Sequence, residues 1–111
     1  MSISTHVLDT VRGRPVSGLH VALEAAANDG RWQLVAQGMT DADGRVTDLL
    51  SRVGSVGPHR IVFDTGDWAA NHGQQSFYPR VTVEFVVADP VQHLHIPLLL
   101  SPFGYTTYRG T

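Results

Sequence analysis

Two histidines two residues apart, His93 and His95 in VQHLHIPLLL, and a third, His6 in ISTHVLD, are the residues of this chain whose type and spacing could do chemistry. An imidazole titrates at about pH 6.5, so it can take or give a proton near neutrality and is well suited to activating a water. In an extended strand alternate residues share a face. Leu94, Ile96, Leu98 and Leu100 then fall on one side and His93, His95, Pro97 and Leu99 on the other. The first side reads as core. The second combines two histidines with a leucine and with a proline that has no N–H to give to a ladder, an odd composition for a solvent face. His6 shares its face with Leu8 in the same way. Apolar residues on outward faces point to a partner surface, most simply on another copy of the chain. Together these residues suggest an oligomeric cleft lined in part by histidine.

The elements that must position them read almost entirely as strands. A period of two runs through ISTHVLD, GLHVALEAA, RWQLVAQGM, PHRIVFDT and RVTVEFVVA, with Ile3, Thr5 and Val7, then Leu19, Val21 and Leu23, then Trp32, Leu34 and Ala36, then Ile61 and Phe63, then Val81, Val83, Phe85 and Val87 on the core side. VRGRPVSG, TDADGR and SRVGSVGP between them carry the Gly, Pro, Asp and Ser of turns, and TDADGR reads as a hairpin turn. Only GDWAANHGQQ, with Asp67 as its N-cap, suggests a short helix. About seven short strands at this spacing make an all-β sandwich. No linker or internal repeat divides residues 1–111, so one domain is expected.

Composition narrows the function classes. Without cysteine there is neither a disulfide framework nor a zinc ribbon, and a net charge of -2 gives no footprint for nucleic acid or for an anionic membrane surface. All eight basic residues are arginine, so any cation recruited to a site is a guanidinium. MSISTHVLDT lacks the basic and apolar regions of a secretory signal, no run is long enough to span a membrane, and the last residues are not a peroxisomal Ser-Lys-Leu. The expected location is the cytoplasm, in a bacterium. DADG lacks the ligand spacing of a calcium loop, and Arg45 after it is by itself a solvated charge. His20, His59 and His72 read as structural or surface histidines.

The segments STHVLDT-x-x-GRP, DADGR and H-x-H-x-PLLLSPFGYTTYRG together resemble the 5-hydroxyisourate hydrolases, the enzyme branch of the transthyretin family. The likeness spans the whole chain. It implies a transthyretin-like (prealbumin-like) sandwich of about eight strands with one short helix, assembled as a homotetramer with active sites in the channel between its dimers. It further implies hydrolysis of 5-hydroxyisourate to 2-oxo-4-hydroxy-4-carboxy-5-ureidoimidazoline in urate degradation, without a cofactor or metal. On this resemblance the catalytic set is His6, Arg45, His95 and Tyr108, and the substrate is also met by Arg109, Gly110 and Thr111 of the terminal tetrapeptide. Transthyretins carry lysine, glutamate, threonine and threonine at those four catalytic positions. His6 and His95 would share water activation and protonation of the leaving nitrogen, Arg45 would orient the substrate and stabilise charge, and Tyr108 would position it; the sequence does not say which histidine is the base. The alternation of YTTY predicts Tyr108 and Thr106 on one face, which the resemblance makes the channel face.

Thr111 stands where the family usually ends in serine, and Leu94 where tyrosine is common. His93 lies outside the four-position match and either supports His95 or lines the channel mouth. A metal held by His6, His93 and His95 is disfavoured, because no carboxylate supports the cluster and the resembling family needs none. The rival readings are a transthyretin-like small-ligand carrier and an immunoglobulin-like adhesion module.

Overall fold

Alternation of small β-branched and aliphatic residues with polar ones gives each strand one apolar face, and two such faces stack to exclude water. The computed structural model describes residues 2–50 and 55–111 and shows this arrangement. The loop read in SRVGSVGP falls partly outside the described residues. In chain order the elements are β1 (Ile3–Asp9), β2 (Arg14–Pro15), β3 (His20–Ala26), β4 (Trp32–Met39), β5 (Arg45–Leu50), β6 (Gly57–Phe63), α1 (Thr65–Asn71), β7 (Val81–Val87), β8 (Leu94–Ser101) and β9 (Gly104–Thr107). One sheet has the order β2-β1-β8-β9, with β5 also pairing with β1, and the other has the order β4-β3-β6-β7. Ile3, Val7, Leu19, Val21, Leu23, Ile61, Phe63 and Leu98 are fully buried between them, each worth about 1.5–3 kcal/mol over an exposed position. Among the described residues no helix is long and apolar enough to cross a membrane.

The sheet that carries His6 and His95 is joined in an unusual way. β1 and β8 come from opposite ends of the chain and pair in parallel, with Ser4 opposite His95 and His6 opposite Pro97. β5 pairs antiparallel with the other edge of β1 and brings Arg45 opposite His6. A central strand is a poor place for proline. Here the β9 ladder stops at the pair Leu98 and Thr107, one residue short of Pro97, and the Thr107 hydroxyl donates to the Pro97 carbonyl at 2.8 Å.

Four expectations need correction. A bulge at Val35 shifts the β3–β4 register between Leu23 and Glu24, so Leu34 pairs with Glu24 rather than lying on the Leu23 face, and it is 57% exposed. An inserted residue reverses alternation beyond it. The helix starts at Thr65 with Asp64 in the cap position, leaving Asp67 in its first turn. The TDADGR turn is closed by Gly44 N–H donating to the Asp41 carbonyl, yet its flanking strands enter different sheets, so it is a corner and not a hairpin. Finally, Pro97 is buried within the single chain and Leu8 and Leu99 are half-buried, because neighbouring strands cover both flanks of β8. The outward apolar row is therefore smaller than alternation alone predicts.

Candidate active site

The corner at 40–45 builds one wall of the site. Asp41 accepts the backbone N–H groups of Asp43 and Arg45 through one carboxylate oxygen, at 2.9 and 3.0 Å. Gly44 has φ of +77° and sits so close to β1 that a Cβ would strike the Val7 carbonyl, and its own carbonyl accepts the Val7 N–H at 2.7 Å. Only glycine meets both demands. Docked this way, the corner presents Arg45 beside His6, and the Asp43 carbonyl lies 2.9 Å from Nε2 of His6. A carbonyl can only accept, so Nε2 carries the proton and neutral His6 presents the lone pair of Nδ1.

His95 is held the other way round. Its Nδ1 lies 2.8 Å from the Ser4 hydroxyl, which is opposite it in the parallel pairing. Among the described residues Nε2 of His95 makes no hydrogen bond, so this is the nitrogen left for chemistry. Ser4 also lies 3.2 Å from Nε2 of His93, whose Nδ1 is 2.5 Å from the Ser2 hydroxyl. Burial lowers the His95 pKa below its ordinary value, and the nearby charges of His6, His93 and Arg45 lower it further, against an opposing contribution from the Ser4 backbone. His95 is thus kept neutral, and able to accept a proton, at pH values where a free imidazole is already cationic.

A cavity of about 220 Å³ opens here, lined by Ser4, Thr5, Arg45, Thr47, His93, His95 and Thr111. Thr47 reaches it because β5 carries extra residues opposite Ser4, where the β1–β5 register shifts between Ile3 and Thr5. Among the described residues no carboxylate pairs with the Arg45 guanidinium, and no three side chains converge closely enough to hold a metal ion. A flat polar molecule would meet a planar fork of donors on one side and imidazole nitrogens on the other.

The chain ends against this cleft. Gly110 N–H donates to the His95 carbonyl at 2.8 Å, and a Cβ on Gly110 would come 2.6 Å from the imidazole edge. Tyr108 does not follow the predicted alternation. β9 ends at Thr107, and Tyr108 and Arg109 line a second cavity of about 160 Å³ with Val83, Phe85, Leu94 and Ile96, which touches the first through His95. Within one chain the structure therefore brings together His6, Arg45, His95, Gly110 and Thr111, and leaves Tyr108 and Arg109 on the far side of His95. Sequence reasoning passed over Ser4 and Thr47, and left His93 outside the set. Strand alternation does put Ser4 on the face of His6, but the parallel register that sets it against His95 has no local signal.

The family model described as "HIUase/Transthyretin family" matches residues 3–110. The chain belongs to that family. Among its relatives is the 5-hydroxyisourate hydrolase of Mus musculus, 42% identical over 98% of this chain and 94% of the relative. The solved 5-hydroxyisourate hydrolase of Klebsiella pneumoniae superposes with a TM-score of 0.86 at 32% identity, over the full length of both chains. Sea bream transthyretin in complex with thyroxine superposes with a TM-score of 0.90, also at 32% identity, over 100% of this chain and 96% of that one. Backbone shape in this HIUase/Transthyretin family thus accommodates both an enzyme and a hormone-binding protein, and side chains must separate them.

Proposed function

We propose that the chain hydrolyses 5-hydroxyisourate to 2-oxo-4-hydroxy-4-carboxy-5-ureidoimidazoline. It is a hydrolase of urate degradation by its kinship with named 5-hydroxyisourate hydrolases. The observation that carries the specific reading is the meeting of the Arg45 guanidinium with two imidazoles that present unlike nitrogens, Nδ1 of His6 and Nε2 of His95. In this mechanism His95 is the general base. Its Nε2 takes a proton from water as the water oxygen bonds to the ring carbonyl carbon, and Arg45 stabilises the charge that develops on the carbonyl oxygen. The carbon–nitrogen bond then breaks, the nitrogen takes a proton from an imidazolium, and the carbonyl carbon becomes a carboxyl group that gives its remaining proton to solvent. His6, fixed as the Nε2–H tautomer by Asp43, shares the substrate contact through Nδ1.

The transthyretin likeness gives a second reading, a small-ligand carrier on the same scaffold, favoured by the 0.90 TM-score to a thyroxine complex. A carrier has no use for a histidine kept neutral beside a free guanidinium, which is why the hydrolase is preferred. We assign residues 1–111 to one cytoplasmic domain acting as a homotetramer without cofactor, with Tyr108, Arg109, Gly110 and Thr111 completing substrate binding along the channel between dimers. The half-covered outer face bearing Leu8 and Leu99 supports that assembly, and sedimentation at micromolar concentration is expected to give a tetramer, not a 12 kDa monomer. The test of activity is direct. 5-Hydroxyisourate made by urate oxidase should lose its ultraviolet absorbance faster with this protein than without it, and a chelator should not change the rate. An unaltered decay would leave the carrier reading.

A further inference from the structure

His93 and Ser4 play no part in the mechanism above, yet they are tied to its base. Ser2, His93, Ser4 and His95 form an unbroken chain of contacts at 2.5, 3.2 and 2.8 Å. It leads from the solvent-exposed His93 to the partly buried His95. The Ser4 hydroxyl has one proton, so it donates to one imidazole and must accept from the other. Both arrangements keep the chain intact, and they differ in which nitrogen of His95 holds the proton. Ser4 is itself only 6% exposed, at the second position of β1.

We propose that Ser4 and His93 form a proton relay that sets the tautomer of His95 and carries its proton to and from solvent. The proposal rests on the hydrolase reading and deepens it. In the resting arrangement His95 Nδ1–H donates to Ser4, Ser4 O–H donates to His93 Nε2, and His93 Nδ1–H donates to Ser2, which leaves the His95 Nε2 lone pair facing the cleft. When Nε2 takes a proton from water, His95 releases the one on Nδ1 to Ser4, and Ser4 releases its own to His93. The water proton has in effect moved to His93, now an imidazolium at the surface, and His95 is neutral again with its proton on Nε2. Reversal returns a proton to Nδ1 of His95, which restores the imidazolium whose Nε2–H can protonate the leaving nitrogen. The charged groups facing His95 are His6 from β1, Arg45 from β5 and His93 ahead of β8, with Arg109 in the adjoining cavity, to which β7 contributes only Val83, Phe85 and Val86. The Arg45 guanidinium disfavours a positive charge on His95, so passing that charge outward to an exposed residue is favourable.

Ser4 and His93 are positioning residues in this scheme, and the test must separate that role from simple packing. Nitrogen-15 NMR on the intact protein is expected to show His95 predominantly as the Nδ1–H tautomer, and Ser4→Ala and His93→Gln are each expected to shift it toward Nε2–H. Both variants should lower kcat roughly 10- to 100-fold at unchanged KM, the double variant should be no worse than either single one, and Ser4→Thr should recover most of the loss by restoring a hydroxyl. His93 is exposed, so His93→Gln tests the relay even if Ser4→Ala perturbs the strand. An unchanged His95 tautomer in both variants, or losses that add independently in the double variant, overturns the relay. If the unaltered protein fails to hydrolyse 5-hydroxyisourate, the hydrolase reading falls, while the tautomer measurement still decides the hydrogen-bond chain.

Discussion

The chain carries histidine in two regions, and the two differ in what surrounds each imidazole. On the β3–β6 sheet and its helix the imidazoles are absorbed by their surroundings. His20 lies between Asp64 at 2.8 Å and Gln37 at 3.1 Å. His59 is buried with Nδ1 on the Gly57 carbonyl and its ring stacked with Phe85. His72 binds the Trp68 carbonyl and stacks on the Trp68 indole at 4.5 Å. On the β1–β8 sheet, His6 and His95 each spend one nitrogen on a backbone or hydroxyl partner; His95 shares a cavity with Arg45, and His6 lies opposite Arg45 in the β1–β5 pairing. The difference is convergence. Three strands from separate parts of the sequence bring His6, Arg45 and His95 near one another, with Arg45 and His95 on one cavity, whereas the other three histidines find their partners within the β3–β6 sheet and its helix.

The sharpest way to break this comparison is a matched pair. His95→Gln should lower kcat about 10²- to 10⁴-fold, the span of a lost general base, while His20→Gln should leave activity within about twofold and cost at most about 1 kcal/mol of stability, since its contact with Asp64 is partly solvated. Urea unfolding beside the absorbance assay reads both. Equal losses would abolish the distinction between the regions. Next in size is Arg45→Lys, expected to cost about 10- to 100-fold in activity with little change in stability, because the charge survives and the planar fork does not.

A smaller effect sharpens the role of the tail. Gly110→Ala forces a Cβ against the His95 ring, and we expect roughly tenfold lower activity with the sandwich intact by circular dichroism. Smallest is a titration shift. His95 should titrate below the ordinary value of about 6.5, and Arg45→Gln, which removes one of the cations holding it down, should move its NMR midpoint upward. Its folded pKa is depressed, so His95 contributes stability present above about pH 6.5 that is lost as pH falls through the folded value, where the unfolded chain binds the proton first. A midpoint unmoved by Arg45→Gln would detach Arg45 from the base.

Much of this was legible in the residues because alternation is a local property. Leu94, Ile96, Leu98 and Leu100 are core as their spacing requires, and His95 lies on the opposite face. The same rule failed at Leu34, where one bulged residue at Val35 reversed it, and at Tyr108, where the strand ends one residue too soon. Neither event changes the local hydrophobic pattern enough to announce itself. The corner was misread as a hairpin because its turn chemistry is that of a hairpin, and only the destination of the flanking strands differs.

The sequence by itself determined the two-sheet sandwich and the kinship, through the period of two, the turn residues and the motifs around His6, Arg45 and the terminal tetrapeptide. It determined the residue types available for proton transfer and anion recognition. Only the tertiary structure decided which nitrogen each histidine presents, that Ser4 joins His93 to His95, and that the two ends of the chain meet in parallel across β1 and β8. The physical reason is range. Facing and turning are set by neighbours a few residues away, whereas a tautomer or a lowered pKa is set by partners about 40 to 90 positions distant, brought within hydrogen-bonding reach only after both sheets have closed.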